Sequence, residues 1–218
     1  MSNSKKNFVI NTGGGSVSIS NSALGMDNTI YASQPAPAPK STMNRPLRPG
    51  PWRVFLSHTS ELRAYPKGTS YIDKAEEGVI AAGHVPIDMK HFPAVDEPAA
   101  TYDVRRVEEC DVYVGIFGLR WGTPILGKPN ISCTEQEFDH ATALGIPRLI
   151  FIIDTSSTEL GLPPDALLDL EHGQRQQVFL QRVRNSGLIV KPFVNPEDLK
   201  ALVERSLREL AVSGTAPS

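Results

Sequence analysis

The sequence predicts an α/β domain built on a parallel sheet of about five strands, doubly wound, with helices on both faces. Three observations carry this reading. Short, nearly unbroken apolar runs recur along the chain, stretches of helical spacing separate them, and a composition break near Pro51 marks where the folded part begins.

Each element follows in order. Residues 53–57 (Arg-Val-Phe-Leu-Ser) read as a buried strand ending in a polar loop. Ile72, Ala75, Val79 and Ala82 recur at helical spacing over 71–82, and Gly83 closes that helix. Residues 85–89 form a second strand, placed at a sheet edge because Pro86 cannot donate to a ladder. A short helix over 102–109 precedes 111–117, the clearest central strand. A helix over 134–144, a strand over 148–153, a helix over 174–184, a strand over 188–194 and a helix over 196–210 complete the alternation. In such a sheet, ligands are expected beyond the carboxyl ends of the strands.

The chain has 218 residues, 22 Lys and Arg against 24 Asp and Glu, and 40% hydrophobic residues. That size suits one domain with tails. The absence of a basic excess argues against general nucleic-acid binding. No apolar run approaches the ~18 residues of a membrane span, and no secretory h-region follows Lys5 and Lys6. Cys110 and Cys133 are too few for a disulfide framework. A reducing compartment, the cytoplasm, is the expected address, with neither membrane nor nucleic acid as partner.

The averages conceal two parts. Residues 1–50 hold five Lys and Arg against one acidic residue, and the remainder holds seventeen against twenty-three. Residues 1–34 are an Asn/Ser/Gly-rich tail in which Phe8-Val9-Ile10-Asn11, Val17-Ser18-Ile19-Ser20 and Ile30-Tyr31 place β-formers at low charge, a pattern able to stack into a cross-β ladder. Residues 35–51 are a Pro-rich linker of polyproline character. The folded domain is expected over 52–212, with 213–218 disordered.

Candidate site residues cluster where the first and third sheet strands end. Ser57, His58 and Thr59 follow one strand, and Gly118, Arg120 and Trp121 follow the other. Hydroxyls, an imidazole, a guanidinium and an indole suit a ligand with phosphates, sugars and a flat ring. Ser132 and Glu135 match a capping box at the start of the next helix. Glu137 has no such duty: it lies about 100° from Phe138 on the helical wheel, at the rim of the buried face, where a carboxylate can reach the same cleft. Cys133 beside that helix start could have a lowered thiol pKa, but a small buried or semi-buried residue is the commoner role. Other motifs fail. Gly122 to Lys128 resembles a P-loop, but Pro129 stands where the magnesium-binding hydroxyl belongs. The five histidines have no metal-ligand spacing.

The blocks 53–63 (RVFLSHTSELR), 110–122 (CDVYVGIFGLRWG) and 132–138 (SCTEQEF) together resemble an uncharacterised bacterial domain family related to TIR domains, often found N-terminal to STAND-type NTPases or repeat-bearing receptors. The resemblance covers about 52–154 and fades beyond. It implies a flavodoxin-like fold with strand order 2-1-3-4-5. It also implies NAD cleavage at the nicotinamide–ribose bond, with NAD as substrate and no cofactor, and Glu137 as the catalytic carboxylate through the pattern Glu137-Phe138-Asp139-His140-Ala141. Ser57, His58, Thr59, Gly118, Arg120, Trp121 and Glu135 then fall to ligand binding. The tail is similar to amyloid-type signalling motifs of bacterial immunity, which implies self-association and a receptor bearing a matching motif. The expected function is a TIR-like effector of a defence or cell-death pathway, cleaving NAD after clustering. The alternative is a non-catalytic adaptor or nucleotide-sensing module acting by homotypic association.

Overall fold

The computed structural model describes residues 8–12, 15–19, 45–94, 96, 99–156 and 160–214. The chain divides into two compact units, 1–39 and 40–218. In the first, Phe8–Thr12 and Gly15–Ile19 pair antiparallel, with Phe8 opposite Ile19 and Thr12 opposite Gly15. Ile30-Tyr31, most of the expected linker and the last four residues lie outside the described residues.

The second unit is built on β1 (Arg53–His58), β2 (Val85–Ile87), β3 (Val112–Phe117), β4 (Pro124–Ile125), β5 (Lys128–Ser132), β6 (Arg148–Ile153) and β7 (Val190–Phe193). The helices are α1 (Ser60–Ala64), α2 (Tyr71–Ala81), α3 (Ala99–Glu108), α4 (Cys133–Ala143), α5 (Gly173–Arg184) and α6 (Pro196–Gly214). The main sheet is wholly parallel, in the order β2-β1-β3-β6-β7. The expected order 2-1-3-4-5 thus becomes 2-1-3-6-7 in chain numbering, because an antiparallel hairpin, β4–β5, intervenes before α4. That hairpin is too short, and too full of proline and glycine, to announce itself as two strands.

Strand alternation sorts the core. Val54, Leu56, Val114 and Ile116 face α2 and α6, where Ile72, Val79, Leu199 and Val203 meet them. Phe55, Tyr113, Phe117 and Ile150 face α4 and α5, where Phe138, Phe179 and Val183 meet them. Residues i and i+2 of a strand share a face, so Ser57 falls on the Phe55 side, toward α4. Gly78 permits the close approach of α2 to α6: a Cβ there would sit 2.6 Å from the Lys200 carbonyl oxygen.

Several bounds differ from expectation for local reasons. The polar loop after β1 contains the single turn α1. Val85–Ile87 is indeed the edge strand, but Met89–His91 turns into a 3₁₀ helix whose entry Asp88 caps by accepting from the Lys90 N–H at 2.7 Å. α6 runs through Gly214, past the expected end of the domain. Within the stretch expected as linker, Arg48 forms a two-armed pair with Asp111 at 2.6 and 2.9 Å, and its carbonyl accepts from the Trp52 indole N–H at 2.9 Å. Those contacts fasten residues 48–52 to the domain.

Candidate functional site

The sheet changes winding direction between β1 and β3, and the crevice beyond their carboxyl ends is where a doubly wound sheet accepts a ligand. A cleft of about 900 Å³ lies there. Its walls come from the end of β1 with α1, the β2 end, α3, the β3 end, the first turns of α4 and the 165–172 segment.

Glu137 lies at the base of this cleft, only 3% exposed. Ser57 Oγ donates to its Oε2 at 2.5 Å. Burial pushes the Glu137 carboxyl up to about 8; the Ser57 hydrogen bond opposes the rise, and the charges of Asp103 and Asp88 add to it. The free protein at neutral pH therefore holds Glu137 mostly as the acid.

Asp88 is also buried, yet lies well below the usual carboxylate range. Burial alone would raise it, but His58 Nε2 sits 2.8 Å from its Oδ2, the Lys90 N–H donates to it, and Arg63 pairs with it. Arg63 also holds Asp73 and Glu76, each at 2.8 Å, so this wall is a locked charge network. The second ring nitrogen of His58 lies 3.1 Å from the Thr59 carbonyl. Thr59 Oγ1 donates to Glu61 Oε1 at 2.5 Å, and burial raises the Glu61 carboxyl.

The expected site residues separate into two groups. His58, Thr59, Arg120 and Glu137 line the cleft, and Ser57 reaches it through Glu137. Gly118, Trp121 and Glu135 do not line it. Gly118 is buried; its carbonyl accepts from Gln176 Nε2 at 2.8 Å, and a Cβ there would sit 2.6 Å from Glu61 Oε1. Trp121 corrects the expected stacking platform. Its indole is 1% exposed, meets His172 edge-on at 5.0 Å and carries the Arg175 guanidinium at 4.9 Å, so its faces serve packing. Glu135 gives only half of a capping box. Ser132 accepts from the Glu135 N–H at 3.2 Å, while the Glu135 carboxylate is taken by Arg182 at 2.7 Å. Cys133 lines the cleft as a half-buried residue, and its thiol is pushed up to about 11 by burial and then by Glu137, so the helix start does not lower it and the semi-buried reading holds.

Other residues of the cleft escaped the sequence reading. Asp88 was discoverable as an acid at a strand's carboxyl end. Asp103 carried no signal beyond a helix position. Asp169 Oδ2 accepts from the Trp121 N–H at 3.0 Å and its Oδ1 from the His172 N–H at 2.8 Å, so it fastens the loop after β3 to the start of α5. Among the described residues, no three His, Cys, Asp or Glu side chains are grouped to hold a metal ion, and no helix is long and apolar enough to cross a membrane.

A family model described as a domain of unknown function, DUF4062, matches residues 53–208, more than two thirds of the chain. The chain belongs to the DUF4062 family. No curated protein matches it. The DUF4062 match opens on the first residue of β1 and ends within α6, so every cleft residue named above lies inside it.

Proposed function

We propose that this DUF4062 domain is a TIR-like effector that hydrolyses NAD at the nicotinamide–ribose bond, with Glu137 as the catalytic carboxylate. The observation that carries the reading is Glu137 itself: a buried, predominantly protonated acid at the base of a ligand-sized cleft, held by Ser57.

The chemistry follows from its environment. A nicotinamide ring bound as its riboside carries a positive charge, and an opposite charge nearby favours ionised Glu137, so substrate binding expels the proton. The carbon–nitrogen bond then breaks, its electron pair leaves with nicotinamide, and the ribosyl centre becomes oxocarbenium-like. The Glu137 carboxylate stabilises that charge in a site of low dielectric. Water adds to the ribosyl carbon and passes a proton to Glu137, restoring the acid. The sum is ADP-ribose, nicotinamide and one proton released. His58 and Arg120 lie along the cleft to meet ribose hydroxyls or phosphates. In this reading the β-prone tail clusters the domains.

Incubating concentrated full-length protein with NAD and following free nicotinamide tests the proposal. Release by the wild type and none by Glu137→Ala is expected. No release by the wild type, or equal release by the variant, overturns it and leaves the association module.

A further inference from the structure

The cleft contains four buried carboxylates: Glu61, Asp88, Asp103 and Glu137. Three have partners. Asp88 has His58, Arg63 and the Lys90 N–H; Glu137 has the Ser57 hydroxyl; Glu61 has the Thr59 hydroxyl and lies in the field of Arg120. Asp103 differs. It is 2% exposed, it stands on α3 in the cleft wall, and its Oδ2, like Glu61 Oε2, is buried without a hydrogen-bond partner. Whereas Thr59 answers the other Glu61 oxygen, burial alone sets the Asp103 carboxyl.

Leaving such an oxygen unmet is costly, more so for a charged group, so an unmet carboxylate in the wall of a ligand-sized cleft is placed to meet what binds there. Burial raises the Asp103 carboxyl only to about 6, which leaves it largely ionised at neutral pH, and its charge helps to keep the proton on Glu137. An ionised carboxylate away from water is answered best by positive charge.

We propose that Asp103 is the specificity-determining counter-charge of the cleft, selecting ligands that carry a cationic ring, such as pyridinium N-ribosides, over their neutral counterparts. This rests on the NAD-cleavage reading for the identity of the ring. It goes beyond that reading by assigning the discrimination to one side chain that takes no part in bond breaking.

The test compares two probes that share a carboxamide and differ in charge, the 1-methylnicotinamide cation and neutral nicotinamide. The cation cannot be cleaved, so binding is read without turnover, by ligand-observed NMR titration of the full chain. The wild type is expected to bind the cation about tenfold more tightly, and Asp103→Asn to bring the two affinities together. Equal affinities in the wild type, absence of cation binding, or a preference that survives in Asp103→Asn each overturn the proposal. The wild-type comparison stands even if the variant fails to fold. A preference without nicotinamide release from NAD overturns the cleavage reading alone; release without a preference overturns only the role of Asp103.

Discussion

Ser57 donates its hydroxyl proton to Glu137 at 2.5 Å across eighty positions of sequence. The contact follows from two periodicities. The pleat of β1 turns Ser57 to the face that Phe55 occupies, and the first turns of α4 bring Glu137 down over that face beside Phe138. The pair thus couples the strand end to the helix that follows the hairpin, and its hydrogen bond opposes the burial that holds the proton on Glu137.

That proton makes stability depend on pH. In the folded chain Glu137 keeps its proton up to about 8, whereas an unfolded carboxyl releases it near its ordinary 4.5. Between those values the native state binds more protons, so stability falls as pH rises. Glu137→Gln removes this dependence. The variant should gain on the wild type by on the order of 1.4 kcal/mol per pH unit from about pH 5 to about pH 8. Melting temperatures of both proteins across that range check it; parallel curves would refute the buried-acid assignment.

The hydroxyl of Ser57 favours the charged form of Glu137. Ser57→Ala should therefore push the Glu137 carboxyl higher still and carry the acid limb of the kcat/KM profile to higher pH, since that profile reports the free enzyme. A nicotinamide-release profile measured for the variant reads the shift directly. An unmoved limb would separate Ser57 from the ionisation of Glu137.

Trp121 should behave as a core residue. Its indole is enclosed by His172 and Arg175, so Trp121→Ala is expected to cost about 3–5 kcal/mol of folding stability. Denaturant unfolding measures this. A variant of undiminished stability but weakened NAD binding would return Trp121 to the ligand.

The sequence conveyed the sheet because parallel strands buried on both faces are continuous apolar runs, as the six buried residues of β3 illustrate. Glu137 was legible as an acid at the edge of an apolar stripe. Asp103 was not, because its distinction lies in the donor it lacks, and an unmet oxygen leaves no mark on spacing. Glu135 misled for a related reason. The capping-box pattern is local, but Arg182, forty-seven residues away, offers the carboxylate a charged partner in place of a backbone N–H. Trp121 misled because its loop is on the ligand rim while its side chain packs against His172 and Arg175. The P-loop-like pattern of glycines serves the backbone around the β4–β5 hairpin instead: Gly127 makes its turn and Gly122 approaches Thr59 and Thr134 just before β4, both at positive φ.

The central claim is that the acid at the base of the cleft breaks a cationic N-glycosidic bond. The most direct measurement is the initial rate of nicotinamide release from NAD by the concentrated wild-type chain and by Glu137→Gln, taken across neutral to mildly alkaline pH. The account predicts that the wild-type kcat/KM climbs with an apparent pKa near the Glu137 value of about 8 and levels off above it, and that the glutamine variant stays at the protein-free blank. A wild type that releases no nicotinamide at any pH, or a variant that matches it, would contradict the claim.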